Sequence, residues 1–243
     1  MSDQSRRRFL TAGAALTGTA AIAPGVHLIE ISHARPAGEP ASAANRWGLL
    51  IDTNKCSAGC DACVKACGTE NGIGEQVADP RQRSQWIRKI DLKEKKSGRE
   101  HSLPMMCQHC AEPPCVDVCP TGASMKRADG IVLVDRHVCI GCRYCMMACP
   151  YKARSFVHEP LTGQNPEVPR GLGCVEACTL CVHRVDKGQL PACVEACQAA
   201  EGAMLFGDLA DPNSEISRRI AHEATTQVRA DLKLNPGVRY QGI

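Results

Sequence analysis

Seventeen cysteines fall along this chain at short, regular intervals, and their spacing is the first clue to its chemistry. Four runs stand out: Cys56-x3-Cys60-x2-Cys63-x3-Cys67, Cys107-x2-Cys110-x4-Cys115-x3-Cys119, Cys139-x2-Cys142-x2-Cys145-x3-Cys149, and a split run, Cys178-x2-Cys181 followed after eleven residues by Cys193-x3-Cys197. Thiolates are soft ligands that suit iron–sulfur clusters, zinc and copper. A loop with three closely spaced cysteines can wrap one cubane and aim three sulfurs at three irons. The fourth cysteine, carried off on the next helical turn, then ligates the other cluster of a pair. Sixteen thiols in four such sets predict four [4Fe–4S] clusters.

Other readings fit less well. Disulfides need partners at defined distances, and triplets of cysteines two residues apart cannot all find them. Zinc sites use two C-x2-C knuckles per metal, which is not the pattern of the third run with its trailing Pro150. Inert buried thiols would not recur at fixed spacing. Cys174 is the odd residue: Cys174-x3-Cys178-x2-Cys181 mimics the opening of the first run, so Cys174 is either a spare thiol or a substitute for Cys178.

The pairing of clusters follows from chain length. Nineteen residues separate Cys119 from Cys139. Most are consumed by a hairpin predicted over 123–134, with Asp129-Gly130 supplying the positive φ angles of a tight turn. Clusters two and three are therefore neighbours, and the expected ligand sets are crossed. Cluster two takes Cys107, Cys110, Cys115 and Cys149; cluster three takes Cys139, Cys142, Cys145 and Cys119. Clusters one and four pair in turn: Cys56, Cys60, Cys63 and Cys197 for one, Cys178, Cys181, Cys193 and Cys67 for the other. The expected fold is α+β, built of two bacterial-ferredoxin-like two-cluster units, one inserted in the other and loop-rich with short hairpins. Residues 46–106 and 150–210 form the outer unit and 107–149 the inserted one.

The elements that must position these loops are sparse. Only eight residues are aromatic, too few for an ordinary core at this length, so clusters must help to fill the interior. Trp47 to Asp52 reads as a buried strand feeding the first run. The charged stretch from Gln82 to Glu100 reads as a solvated loop. Residues 211–243 read as a capped helix reaching about Leu232, followed by a docking tail. A net charge of +3 and the absence of a basic stripe interleaved with aromatics argue against nucleic acid.

At the N-terminus, Ser5-Arg6-Arg7-Arg8-Phe9-Leu10 precedes a weakly apolar run, so 1–34 is expected to be a twin-arginine signal centred on Arg6 and Arg7, with 35–45 a linker. A general secretory signal or an uncleaved anchor would share the basic start. The twin-arginine route fits the chemistry, because clusters built on reduced thiolates require the protein to fold before it crosses into an oxidising compartment. The predicted location is periplasmic. No later stretch approaches the roughly 20 apolar residues of a membrane span.

The stretch from Cys107 to Glu159 (CQHCAEPPCVDVCPTGAS…CIGCRYCMMACPYKARSFVHE) resembles the four-cluster electron-transfer subunits of respiratory oxidoreductases, as do Leu190 to Cys197 and Phe206 to Pro212. The resemblance covers roughly residues 47–215. Arg143-Tyr144, Lys152 to Phe156 and the leader make it most similar to the DsrO-like subunits of DsrMKJOP-type complexes of dissimilatory sulfur metabolism. NrfC-type subunits of nitrite reduction also carry such a leader. The family's Cys-Pro ending is replaced by Cys197-Gln198. The resemblance implies an integral, NrfD-like quinone-reactive partner and a multihaem cytochrome c, with electrons relayed between them and no catalytic site in this chain. Two alternatives are an electron-transfer subunit of a periplasmic molybdopterin or nitrite reductase, and an iron–sulfur sensor or assembly protein, for which one labile cluster would suffice.

Overall fold

The computed structural model describes residues 39–243 apart from 75, 76 and 78. Arg6 and Arg7, and with them the expected signal, lie outside the described residues. In chain order the elements are β1 (Trp47–Asp52), α1 (Ala62–Glu70), β2 (Ile87–Lys93), β3 (Glu100–Met106), α2 (Pro114–Asp117), β4 (Ser124–Lys126), β5 (Val132–Val134), α3 (Tyr144–Ala148), β6 (Arg154–Phe156), β7 (Val175–Ala177), α4 (Val182–Val185), α5 (Ala192–Ala200), β8 (Met204–Asp208), α6 (Glu215–His222), β9 (Thr225–Thr226) and β10 (Val238–Gln241). Short helices and small ribbons dominate, the mixed α and β content expected.

β1 is a continuous apolar run and is covered on both sides, as the centre of a sheet ordered β8-β1-β10-β9. It runs antiparallel to β8, with Leu49 opposite Phe206, and parallel to β10, with Ile51 opposite Tyr240. The register places Trp47 beside Phe206, their rings stacked 5.3 Å apart. Around this sheet the core is built largely from sulfur. Twelve cysteines are buried, and ten of them join Trp86, Tyr151 and Tyr240 in one apolar cluster.

Three local expectations are corrected. The charged stretch is not a loop: β2 and β3 form a seven-residue antiparallel ladder from Ile87↔Met106 to Lys93↔Glu100. Its charges sit at the solvated tip, while Leu103, Met105 and Met106 anchor the base. The Asp-Gly turn is wider than two residues. Lys126 pairs with Val132, and only Gly130 has positive φ, +86°, because the Asp129 carboxylate folds back to accept from Arg127 and the Ile131 amide. Finally, the C-terminal helix stops at His222 rather than near Leu232. Its cap is as expected, with the Ser214 hydroxyl accepting from the Ser217 amide. Beyond it β-branched Thr225 and Thr226 extend the chain, and the tail returns as β10. Tyr240, expected on a docking tail, is fully buried and donates to the Pro104 carbonyl at 2.9 Å.

Candidate metal centre

Two helices organise the first and fourth runs. α1 carries Cys63 and Cys67 one turn apart, α5 carries Cys193 and Cys197 in the same way, and the two pack against each other. Side chains at i and i+4 share one face but stand a turn apart, so each helix serves two places at once. Cys63 is influenced electrostatically by Cys197, Cys56 and Cys60. Cys67 feels Cys178 and Cys181, and Cys193 feels Cys181 and Cys67.

The second and third runs repeat the arrangement with shorter helices, α2 against α3. Cys107 and Cys110 are each acted on by Cys115 and Cys149. Those four thiols, with Tyr151, Arg154 and Pro113, line one almost wholly apolar cavity. Cys145 is acted on by Cys119 and Cys139. Cys142 is the exposed member of its run. The structure thus brings thiols of the first and fourth runs together at one helix pair and thiols of the second and third runs together at the other. Cys174 stands elsewhere. Its thiol donates to the Arg136 carbonyl at 3.3 Å, close to Cys139.

The loops between these helices use an unusual backbone. In the first C-x2-C step of each of the last three runs, the residue before the second cysteine has positive φ: His109 at 42°, Gly141 at 69° and Leu180 at 55°. Glycine adopts this geometry freely, whereas His and Leu do so under constraint, as residues at functional sites often do. The sequence signal was present only as Gly141. Backbone amides then point at sulfur: Ser124 N donates to Cys119 Sγ at 3.3 Å and Leu180 N to Cys178 Sγ at 3.4 Å.

Burial favours the neutral thiol unless a cationic centre sits among the sulfurs. Burial, reinforced by the neighbouring thiols, pushes Cys63 up to about 12 and Cys110 up to about 11, and burial also raises Cys107 to about 12. Thiols massed in this way ionise together only around compensating metal, since a coordinating thiol is deprotonated outright. At Cys119, slight burial is outweighed by hydrogen bonds from Ser124, Thr121 and Ala123, which hold it below its usual range. Among the described residues no three His, Cys, Asp or Glu groups converge as they would on a single ion. No cysteine is disulfide-bonded. The donor set fits cubane clusters, each iron taking one sulfur from a spread quartet.

Other groups position these loops. Lys89 donates to the carbonyls of Ser57 and Cys60, tying β2 to the first loop. Glu70 at the end of α1 pairs with His183 at 2.7 Å and Arg184 at 2.9 Å on α4. His109 is buried, and its Nδ1 accepts from the Val132 amide at 3.0 Å. Burial, with a contribution from Arg154, lowers its pKa to about 4, so the ring is neutral. Neither histidine joins a quartet. Of the charges around the third run, which sequence leaves equally open to a cluster-facing or an exposed reading, Arg154 is buried, whereas Arg143 stacks over Phe156 at 3.8 Å.

Comparison with known proteins points to the same iron–sulfur chemistry. Two 4Fe-4S dicluster domain families match, over residues 55–123 and 100–209. The chain is 41% identical to Hdr-like menaquinol oxidoreductase iron-sulfur subunit 1 of Archaeoglobus fulgidus, with 97% of each chain covered. It is 36% identical to a tetrathionate reductase subunit of Salmonella typhimurium, over 99% of this chain and 89% of that one. It is 39% identical to protein NrfC of Escherichia coli, over 79% and 78%. Among the described residues no helix is long and apolar enough to cross a membrane. The chain belongs to the family of 4Fe-4S electron-transfer subunits that includes these three proteins.

Proposed function

We propose that this chain is a periplasmic electron relay holding four [4Fe–4S] clusters in the crossed sets given above, within a DsrMKJOP-type or closely related membrane complex. One observation carries the reading: the quartets adjoin in a single order. Cys63 acts on Cys193, Cys178 feels Cys107, and Cys115 feels Cys145. The path therefore runs one, four, two, three. The pairing of β1 with β8 and of α1 with α5 supports an outer unit, 46–106 with 150–210, into which 107–149 is inserted.

The clusters supply the one-electron chemistry, and this chain's residues supply its placement. Buried thiols hold the inner two clusters, four and two, away from water, and loop amides stabilise the anionic sulfurs. Cluster three is the open end. Around exposed Cys142, Ile140 is 67% exposed, Tyr144 58% and Met147 75%. Such an apolar rim suits a permanent partner, which we take to be the integral NrfD-like quinone-reactive subunit, with a multihaem cytochrome c serving the other end. Sulfur metabolism fits the kinship with the tetrathionate reductase protein.

Anaerobic purification from detergent-solubilised membranes tests this reading. The expected result is about 16 Fe per chain, four for each cubane, with a quinone-reactive subunit and a haem protein co-purifying. Recovery with a pterin-containing subunit would instead favour the molybdopterin reductase reading. Recovery with little iron would overturn both.

A further inference from the structure

Arg154 differs from the other well-buried arginines. Arg127 pairs with Asp129 and Asp186, Arg170 with Glu176, and Arg184 with Glu70 and Glu195. Arg154 is only 6% exposed, and among the described residues no carboxylate pairs with it. Its Nη2 donates to Cys115 Sγ at 3.0 Å and to Ser124 Oγ at 2.8 Å. Nε and Nη1 are buried with no protein partner. The side chain lines the cavity enclosed by Cys107, Cys110, Cys115 and Cys149, and it is also within reach of Cys145 in the neighbouring quartet. A buried guanidinium without a counter-ion is strongly destabilising, and it cannot shed its proton to relieve the cost. The anions facing it are cysteine sulfurs of two quartets.

We propose that Arg154 is a shared electrostatic bridge between clusters two and three, hydrogen-bonding a sulfur of cluster two, lying close to cluster three, and stabilising the reduced form of both. The inference rests on the reading that these quartets hold [4Fe–4S] clusters. Such clusters are anionic and become more so on accepting an electron, and net charge with hydrogen bonds to sulfur sets their potential. A fixed cation at the junction therefore raises both potentials. Ser124 is the orienting residue. Its hydroxyl holds the guanidinium while its amide donates to Cys119 of the third quartet.

The test is an EPR-monitored redox titration of the full, cluster-loaded chain as wild type, Arg154→Gln and Arg154→Lys, with signals assigned through ligand variants. In Arg154→Gln the midpoints of clusters two and three are expected to move down together while one and four hold. Arg154→Lys keeps the charge and should show a smaller downward shift. Unchanged midpoints at two and three, or an equal shift of all four, would overturn the proposal. If Arg154→Gln does not load, pulsed EPR of wild-type protein labelled with ¹⁵N-arginine decides: a ¹⁵N coupling at reduced cluster two is expected, and its absence overturns the bridge. Iron content and cubane spectra of the wild type are read first. A chain without four cubanes fails the cluster reading, whereas four cubanes with insensitive potentials fail only Arg154.

Discussion

Cys63 and Cys67 stand one turn apart on the same short helix, yet they answer to different neighbours: Cys63 to Cys197 and Cys67 to Cys178. Cys193 and Cys197 on the facing helix mirror them. Helical pitch alone makes this exchange. A turn advances the chain by about 5.4 Å, enough to carry a thiol from one cluster's shell into the next. The same step that separates the ligand sets also keeps successive clusters close, which an electron relay needs.

Gly141 is a position where a side chain cannot be added. Its φ is +69°, and a Cβ there would run into the Gly173 carbonyl. The left-handed conformation alone costs an L-residue about 1–2 kcal/mol, before the clash. Gly141→Ala is expected to lose or distort cluster three while the other three load, a loss of about a quarter of the bound iron. Iron analysis with EPR checks it.

Glu70 ties the end of α1 to α4. Partial burial opposes its ionisation, but hydrogen bonds from His183 and Arg184 outweigh this and hold the carboxyl below its usual 4.5. Because the folded-state pKa is depressed, the contribution is fully present above that usual value and is lost as pH falls through the folded one. Glu70→Gln is expected to lower stability by about 1 kcal/mol at neutral pH. Thermal melts should show the gap from wild type closing in acid below about the usual carboxylate value.

Export should depend on the guanidinium pair at Arg6 and Arg7. Lysine keeps the charge but lacks the planar fork, so the double Lys variant is expected to accumulate in the cytoplasm with its clusters assembled. Fractionation with iron analysis checks this. Full delivery of loaded protein to the periplasm would contradict the twin-arginine reading.

The four cysteine runs were legible because ligand geometry constrains sequence tightly, and the helix pairs that carry them, α1 with α5 and α2 with α3, lie against each other. The left-handed residues were legible only where glycine marked them, at Gly141. At His109 and Leu180 the same backbone is imposed by the packed loop and leaves no compositional trace. The β2–β3 ribbon was hidden by its own charges, since Lys93 and Glu100 belong to an exposed tip whose apolar base lies several residues away. β10 was hidden because its parallel partner lies at the other end of the described chain, Leu49 against Val238, a long-range pairing that local pattern does not encode. Arg154 was legible only as one of several charges around the third run, open equally to a cluster-facing and an exposed reading, as burial of a charge is decided by what surrounds it.

The most direct test of the crossed architecture is Cys119→Ser, read by EPR and Mössbauer spectroscopy on anaerobically purified protein beside the wild type. Crossing predicts that the cluster held by Cys139, Cys142 and Cys145 is lost or shifted in potential, serine being an occasional iron ligand. The cluster of Cys107, Cys110, Cys115 and Cys149 should keep all four thiolates and its own signal, apart from a small change in coupling to its neighbour. The opposite pattern, with the Cys107 cluster perturbed and the Cys139 cluster intact, would mean that Cys119 serves its own loop. That result would contradict the paired arrangement on which the relay order depends.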